Sequence, residues 1–280
     1  MGEGVRIVSL YSGSGGNATY IEAAGTAILI DAGKSARALC KSLREIGAEP
    51  DKIAAIFITH EHNDHVSALE VLTKKHPIPV HMVCASADHY CKKKCSAYPE
   101  CVMTHPPVFC EQVGGLTVRS FPTPHDSHAS VGYRITFSDA EGEHSIGYAT
   151  DIGYVTEEIR HGLSGCEAVV LESNHDVDML MKGPYPYELK RRVASRRGHL
   201  SNRECADLAA ALAAEGTRGF LLAHLSAENN HPELALDETE TAVSDPRVCI
   251  LAADPDRPVE LMTGASEEPF DFEEERGAES

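Results

Sequence analysis

The sequence predicts an α/β (α+β) chain in which two mixed β-sheets pack face to face with helices on the outside. Three observations carry that expectation. Strand-like apolar runs come first as a meander and then alternate with segments of helical period. The same order recurs in both halves of the chain. No linker-like stretch interrupts residues 1–264, which are therefore expected to form one domain.

The elements follow in order. RIVSLY (6–11) and ATYIEA (18–23) alternate or run apolar, and the glycine-rich SGSGGN between them turns the chain, as in a hairpin. TAILIDAG (26–33) is a third strand that ends at Asp31. SARALCKSLREIG (35–47) has helical spacing and stops at Gly47. KIAAIFITH (52–60) is a buried strand by its apolar run, DHVSALEVLTKKH (64–76) a helix, and IPVHMVC (78–84) a strand. Residues 85–112 are rich in Cys and Lys without a clear period and are expected to be an irregular insertion or lid. Strands follow at 116–125, 130–139 and 144–153, a helix at 156–165 and a strand at 167–176. SNRECADLAAALAAEG (201–216) is a helix, with Ser201 and Glu204 spaced as a capping box. A strand at 217–226, a helix at 232–243 and a last strand at 247–254 complete the domain. The acidic, aperiodic residues 265–280 are expected to be a disordered tail.

Composition narrows the function classes. Hydrophobic residues make up 42% of the 280, as in a globular protein. The first residues lack the basic and apolar regions of a signal peptide. No apolar run approaches the roughly 20 residues of a membrane span, so a cytoplasmic protein without a membrane partner is expected. The nine cysteines include Cys84, Cys91, Cys95, Cys101 and Cys110; four of these, with His89 and His105 nearby, could build a structural zinc site, but their spacings are not C-x₂-C pairs, and reduced thiols are the reading. The net charge of −18 argues, taken alone, against nucleic acid. Positive charge gathers locally, however, in KRRVASRRGH (190–199). That run is either a solvated helix face or, if it adjoins a catalytic site, a patch facing phosphates.

The densest chemical signal is FITHEHNDHVSAL (57–69). His60 and His62 stand two apart, so an extended backbone puts both on one side, and Asp64 and His65 come after the turn. Glu61 and Asn63 are expected to be spacers that point away. His125, Asp151 and His224 each end a different apolar run, where loops carry chemistry on a rigid scaffold. Alone, each of these would be an ordinary satisfied polar residue. Together they assemble two triads: His60, His62 and His125, and Asp64, His65 and His224, with Asp151 between them. Such a set suits two divalent ions (zinc, manganese or iron) about 3.5–4 Å apart, the spacing of two-metal hydrolytic sites.

THEHNDH, with Asp31 after ILI, His125 in PTPHDSHASVGY, Asp151 in GYATDIG and His224 in LLAHLS, resembles the motif series of the metallo-β-lactamase superfamily. The resemblance runs to about residue 264 and implies the four-layer αββα sandwich, with metals at one edge between the sheets. It also implies that Asp31 orients a ligand histidine. Asp151 stands where the common zinc β-lactamases carry a cysteine, so antibiotic hydrolysis is not expected. GHLSNRECADLAAALAAEGTRGFLLAHLS is similar to the end of ribonuclease Z-like phosphodiesterases, where a histidine precedes the helix leading to the last ligand; His199 matches it. SGSGGN, SNHD, GPYPYELKRRV, GHLSN and HLSAENN resemble the YycJ/WalJ-type proteins, a family linked to 5′-exonuclease activity on DNA. The expected function is therefore a dinuclear phosphodiester hydrolase, most simply a 5′-to-3′ DNA exonuclease. Its nucleophile would be a hydroxide held between the two ions, with Asp64 as ligand and proton acceptor and His199 as general acid. His175, Tyr185, Tyr187, Lys190 and Arg191 are candidate substrate contacts, rings and cations together suiting a nucleic-acid strand. His175 reads equally as a buried, satisfied residue, and the Tyr-Glu-Leu stretch at 187–189 equally as a helix start. RNA or a small cyclic phosphodiester is the alternative substrate; thioester or lactone hydrolysis and a non-catalytic metal-binding protein are more distant rivals.

Overall fold

The computed structural model describes residues 5–94 and 100–263. The first half runs β1 (Val5–Tyr11), β2 (Ala18–Ala23), β3 (Thr26–Ile30), α1 (Ala36–Glu45), β4 (Ile53–Phe57), α2 (Asn63–Val66), α3 (Leu69–Lys75), β5 (Val80–Val83), α4 (Cys84–Lys94) and β6 (Val102–His105). The second half opens with β7 (Cys110–Val113), β8 (Leu116–Thr123), β9 (Ser130–Ser138), β10 (Glu143–Ala149), α5 (Glu157–Leu163), β11 (Ala168–Glu172) and α6 (Val177–Lys182). It closes with α7 (Tyr187–Val193), α8 (Asn202–Ala214), β12 (Gly219–Ala223), α9 (Pro232–Val243), β13 (Cys249–Ala252) and β14 (Val259–Thr263).

Two seven-stranded sheets result, in the orders β14-β1-β2-β3-β4-β5-β6 and β13-β12-β11-β10-β9-β8-β7. Each is antiparallel on one side and parallel on the other. In the first sheet β3 to β6 run parallel, and in the second β10 to β13. Strand alternation builds the layers. Ile28 and Ile30 of β3 face the second sheet in a core with Phe57, Val131, Tyr133, Tyr148 and Leu221. Leu29, between them, turns outward to Leu39 and Leu43 of α1 and Leu72 of α3. The opposite outer layer packs Leu171, Phe220 and Leu222 against Leu163, Leu208 and Leu212. These are the αββα layers that the motif resemblance implied.

Three elements depart from expectation. Residues 85–112 are not irregular: they supply α4 and then β6 and β7, one edge strand for each sheet. Their short, half-exposed strands lack the apolar run that marks a buried strand. The strand at 247–254 is not the last, because β14 follows and pairs antiparallel with β1. The helix expected over 64–76 is two helices, α2 and α3. Cys95, residues 1–4 and the acidic tail lie outside the described residues; the cysteines within them are free. Among the described residues no helix is long and apolar enough to cross a membrane.

Candidate metal centre

The parallel strands of both sheets bring their C-terminal ends to one edge, where open α/β sheets place their ligands. Asp31 follows β3, His60 to His65 follow β4, Asp151 follows β10, Glu172 ends β11 and His224 follows β12. Asp31, Asp151 and His224 all hold positive φ, at 63°, 57° and 57°. Non-glycine residues adopt that conformation rarely and at an energetic cost, and here it re-aims three polar side chains just past a buried strand. The β4 end is pinned from the opposite sheet, because Tyr133 Oη donates to Ile58 O at 2.5 Å and Val131 N to Thr59 O at 3.1 Å.

The side chains converge in overlapping groups whose ligand atoms lie within 4.8 Å of one another. The groups are His60, His62 and His125; His60, His65 and Asp151; Asp64, His65 and His224; and Asp151, Glu172, His199 and His224. Four of the histidines anchor Nδ1 and leave Nε2 for the centre. His60 Nδ1 pairs with Thr59 Oγ1 at 3.1 Å and His65 Nδ1 with Asp31 Oδ2 at 2.8 Å. His125 Nδ1 pairs with Gly198 O at 3.1 Å and His224 Nδ1 with Glu172 Oε1 at 3.0 Å. Asp31 is itself held by Thr59, whose backbone N donates to Oδ1 at 2.8 Å. Anchors of this kind set ring orientation and tautomer at metal sites.

The arrangement asks for positive charge. Asp31, Asp151 and Glu172 are buried and Asp64 half-buried. Burial alone would raise the Asp64 carboxyl, but His65 and His224 outweigh it and hold it below the usual carboxylate range. Burial would push His65 down, yet Asp31, Asp151 and Asp64 hold it well above its ordinary value. The Asp151, Asp64 and Glu172 carboxylates likewise overcome burial and lift His224 to about 10. His60 goes the other way, pushed well below by burial and by the imidazoles around it. Meanwhile His60 Nε2, His224 Nε2 and Asp151 Oδ2 are buried without a hydrogen bond among the described residues. Each such orphan costs about 1–3 kcal/mol, so the all-N/O donor set fits divalent cations that would take these lone pairs.

Three residues that sequence reasoning missed, or misread, complete the picture. Glu172 accepts from His199 Nδ1 at 2.8 Å and His224 Nδ1 at 3.0 Å through Oε1, and from Ile152 N at 2.6 Å and Leu200 N at 3.1 Å through Oε2. The signal was present: it is the one ionisable residue in the apolar strand AVVLE, and buried charge marks functional sites. Asn17, read only as part of a turn, puts Nδ2 3.3 Å from Asp64 Oδ2 and 3.1 Å from His65 Nε2. Glu61 does not point away as a spacer. It is buried and binds the backbone N of His128 at 2.8 Å and its Nδ1 at 2.9 Å. His128 thereby stands apart from the cluster, stacked on His89, while His125 enters it. Asn63 is exposed, its Oδ1 accepting from Lys93 Nζ.

The candidate substrate contacts separate into two kinds. His199 is half-buried beside the cluster, its ring 5.2 Å from that of His125 and 5.1 Å from that of His224. His175 is buried, and its Nδ1 has no hydrogen bond among the described residues. Tyr187 is exposed with Arg191 over its ring at 5.8 Å, and Tyr185 is half-buried. Lys190 Nζ is engaged by Met181 O at 2.7 Å. None of these last four residues makes a hydrogen bond to the cluster among the described residues.

Comparison with known proteins gives the family. Residues 26–224 match the beta-lactamase superfamily domain. The exodeoxyribonuclease WalJ of Streptococcus pneumoniae is 33% identical over 237 residues, which covers 83% of this chain and 86% of the relative. The exodeoxyribonuclease YycJ of Bacillus anthracis is 32% identical over 241 residues, with the same coverage. The metallo-beta-lactamase fold protein YhfI from Bacillus subtilis shares the fold, with a TM-score of 0.69 at 16% identity, over 92% of this chain and all of that one. Human tRNase Z, short form, shares it with a TM-score of 0.62, again at 16% identity, over 91% of this chain and 98% of that one. By its strand-end His/Asp cluster, its layered sheets and these relatives, the chain belongs to the metallo-β-lactamase superfamily, in its WalJ/YycJ branch.

Proposed function

We propose that this chain is a two-metal phosphodiester hydrolase that removes nucleotides from the 5′ end of DNA. The observation that carries the reading is the convergence of eight His and Asp side chains, with Glu172, from both sheets, in a chain whose relatives are named exodeoxyribonucleases. His60, His62 and His125 would hold one ion, Asp64, His65 and His224 the other, with Asp151 between. Zinc, manganese and iron all suit these nitrogen and oxygen donors. When bound, such ions supply charge neutralisation for a phosphodiester and acidify water toward a pKa of ~7.

The chain's own residues do the rest. Asp64, kept ionised by His65 and His224, accepts the proton of the attacking water. His199, fixed through Nδ1 by Glu172, donates a proton to the leaving oxygen from the half-exposed rim. Asp31 and Glu172 keep His65 and His224 in place, so the donors need not reorganise during the reaction. Tyr187 and Arg191, exposed on α7, and Tyr185 before it offer the strand a ring-and-cation surface.

The test is incubation of the metal-reconstituted protein with end-labelled 5′-phosphorylated DNA, the same sequence as RNA, and a bis-aryl phosphodiester. Release of mononucleotides from the 5′ end of DNA is expected. Cleavage of the small ester alone would sink the nuclease reading, and preference for RNA would reassign the substrate. Asp64→Ala should abolish cleavage while the circular dichroism spectrum is kept. Residual wild-type turnover in that variant would refute the assigned role.

A further inference from the structure

Five basic side chains lie between residues 190 and 197, and the structure gives them different work. Lys190 caps Met181 O, and Arg191 lies 3.8 Å from Glu188 and over Tyr187. Arg196 stacks on Tyr154, its guanidinium carbon 3.9 Å from the ring centroid. Arg197 donates to the backbone oxygen of His125 through Nε at 3.1 Å and Nη2 at 3.0 Å. Arg192 is the one of the five with a close carboxylate partner: it gives Nε to Asp126 Oδ2 at 2.6 Å, and neither Nη1 nor Nη2 has a hydrogen bond among the described residues. A guanidinium that meets a carboxylate through Nε alone keeps its other donors for a second anion.

Its anchor is tied directly to the metal centre. Asp126 follows His125 in the chain. Asp126 Oδ1 is buried, has no hydrogen bond among the described residues, and lies 3.3 Å from His125 Nε2. His125 is also gripped through Gly198 O and by Arg197, so the whole 192–198 segment is clipped to that one histidine. Gly153, two residues after Asp151, lets the clip close, since a Cβ there would meet Arg196 O at 2.2 Å. Arg192 is therefore fixed relative to the cluster through Asp126, with both terminal nitrogens still able to donate.

We infer that Arg192, positioned by Asp126, is the phosphate anchor of the polynucleotide strand at the His60, His62 and His125 side of the centre. This rests on the phosphodiesterase reading above and narrows it. The strand is held by one preorganised guanidinium beside the cluster, rather than by the basic run as a whole. It also accounts for phosphate binding by a chain of net charge −18, because the cation sits where the reaction takes place.

The test uses metal-reconstituted protein and a labelled 5′-phosphorylated oligonucleotide with phosphorothioate linkages, titrated by fluorescence anisotropy between about 50 and 200 mM salt. Arg192→Ala should bind ~3- to 10-fold more weakly and lower the slope of log K against log salt by about 0.7–1, with metal content unchanged. Arg192→Lys should recover the slope but not the full affinity, because lysine lacks the Nε contact that fixes the head group. Asp126→Ala keeps the cation and should keep the slope, while kcat on cleavable DNA falls as Arg192 loses its acceptor. An Arg192→Ala protein with wild-type affinity and slope would overturn the anchor. An Asp126→Ala protein with wild-type kcat would overturn the positioning. A wild-type protein that neither binds nor cleaves the strand would overturn both this inference and the function it rests on.

Discussion

Glu172 shows how much of the site depends on a single carboxylate. Its four partners, His199 Nδ1, His224 Nδ1, Ile152 N and Leu200 N, are all placed to donate. A carboxylate satisfies all four, but an amide must turn its NH₂ toward two of them. Glu172→Gln, though nearly isosteric, should therefore lose one of the two donor pairs, His199 with His224 or Ile152 N with Leu200 N, and loosen the strand end that carries the cluster. Metal affinity and kcat/KM should fall by roughly 10- to 100-fold, the usual cost of removing the partner of a ligand histidine. Elemental analysis and DNA cleavage read the two losses separately, and a Gln variant with wild-type metal content and rate would show that the carboxylate is dispensable. Of the proposed ligands, His60, His125, Asp151 and His224 were legible in the sequence because each one ends an apolar run, and His62, Asp64 and His65 because they crowd behind the first. Glu172 was harder to see because it closes its run directly before the polar SNHD and reads as the start of that polar stretch. Asn17 was hidden for a different reason: in SGSGGN an asparagine has an ordinary turn role, and only the fold brings it beside Asp64. For Glu61 the period-2 argument failed because the chain leaves β4 at Phe57, so alternation no longer says where residue 61 points.

At the scale of elements, long or fully buried segments were legible and short edge strands were not. β3, β4, β11 and β12 carry unbroken apolar runs. β6 and β7 alternate weakly over four residues each, and β14 finds its partner β1 from the far end of the chain, a pairing that no local pattern encodes. The edge β6 nevertheless completes a stack with consequences for stability. Phe57, His81, His105 and Phe109 lie ring upon ring at 4.6, 5.1 and 4.2 Å. His81 is 4% exposed, and burial, with His105 beside it, lowers its pKa to about 4 against the opposing pull of Glu111. Its folded pKa thus lies below the unfolded value near 6.5, so as pH falls the unfolded chain takes up the proton first. The neutral stack is fully stabilising above about pH 6.5 and loses on the order of 1–3 kcal/mol as pH falls toward 4. His81→Phe keeps the ring and removes the titration. Its urea midpoint should fall less than the wild type's between pH 7 and pH 5, and parallel losses in the two proteins would clear His81 of any part in acid sensitivity.

For the whole molecule, the cluster is a joint between the sheets. Asp31 and His60 to His65 leave the first sheet, while His125, Asp151, Glu172 and His224 leave the second. Neither sheet holds a complete triad of the proposed ligands, so on that proposal the two must be docked before a cation finds its site. Binding free energy is then folding free energy for both sheets at once. An ion present at about 100 times its Kd adds about 2.7 kcal/mol to the folded state. In a domain of this size each kcal/mol moves Tm by roughly 2–4 °C, so metal-stripped protein should gain ~5–10 °C per ion on reconstitution with zinc or manganese. A joint predicts one cooperative transition that shifts as a unit, because loading at the shared edge cannot stabilise one sheet and leave the other behind. His60→Ala with His62→Ala should cost one increment of that gain, and His224→Ala the other, if each triad holds its own ion. Scanning calorimetry of the stripped and loaded forms decides it. A loaded protein that melts in two steps, only one of them metal-dependent, would mean that the ligands do not bridge the sheets in solution, and a Tm indifferent to metal would remove the cations from the fold altogether.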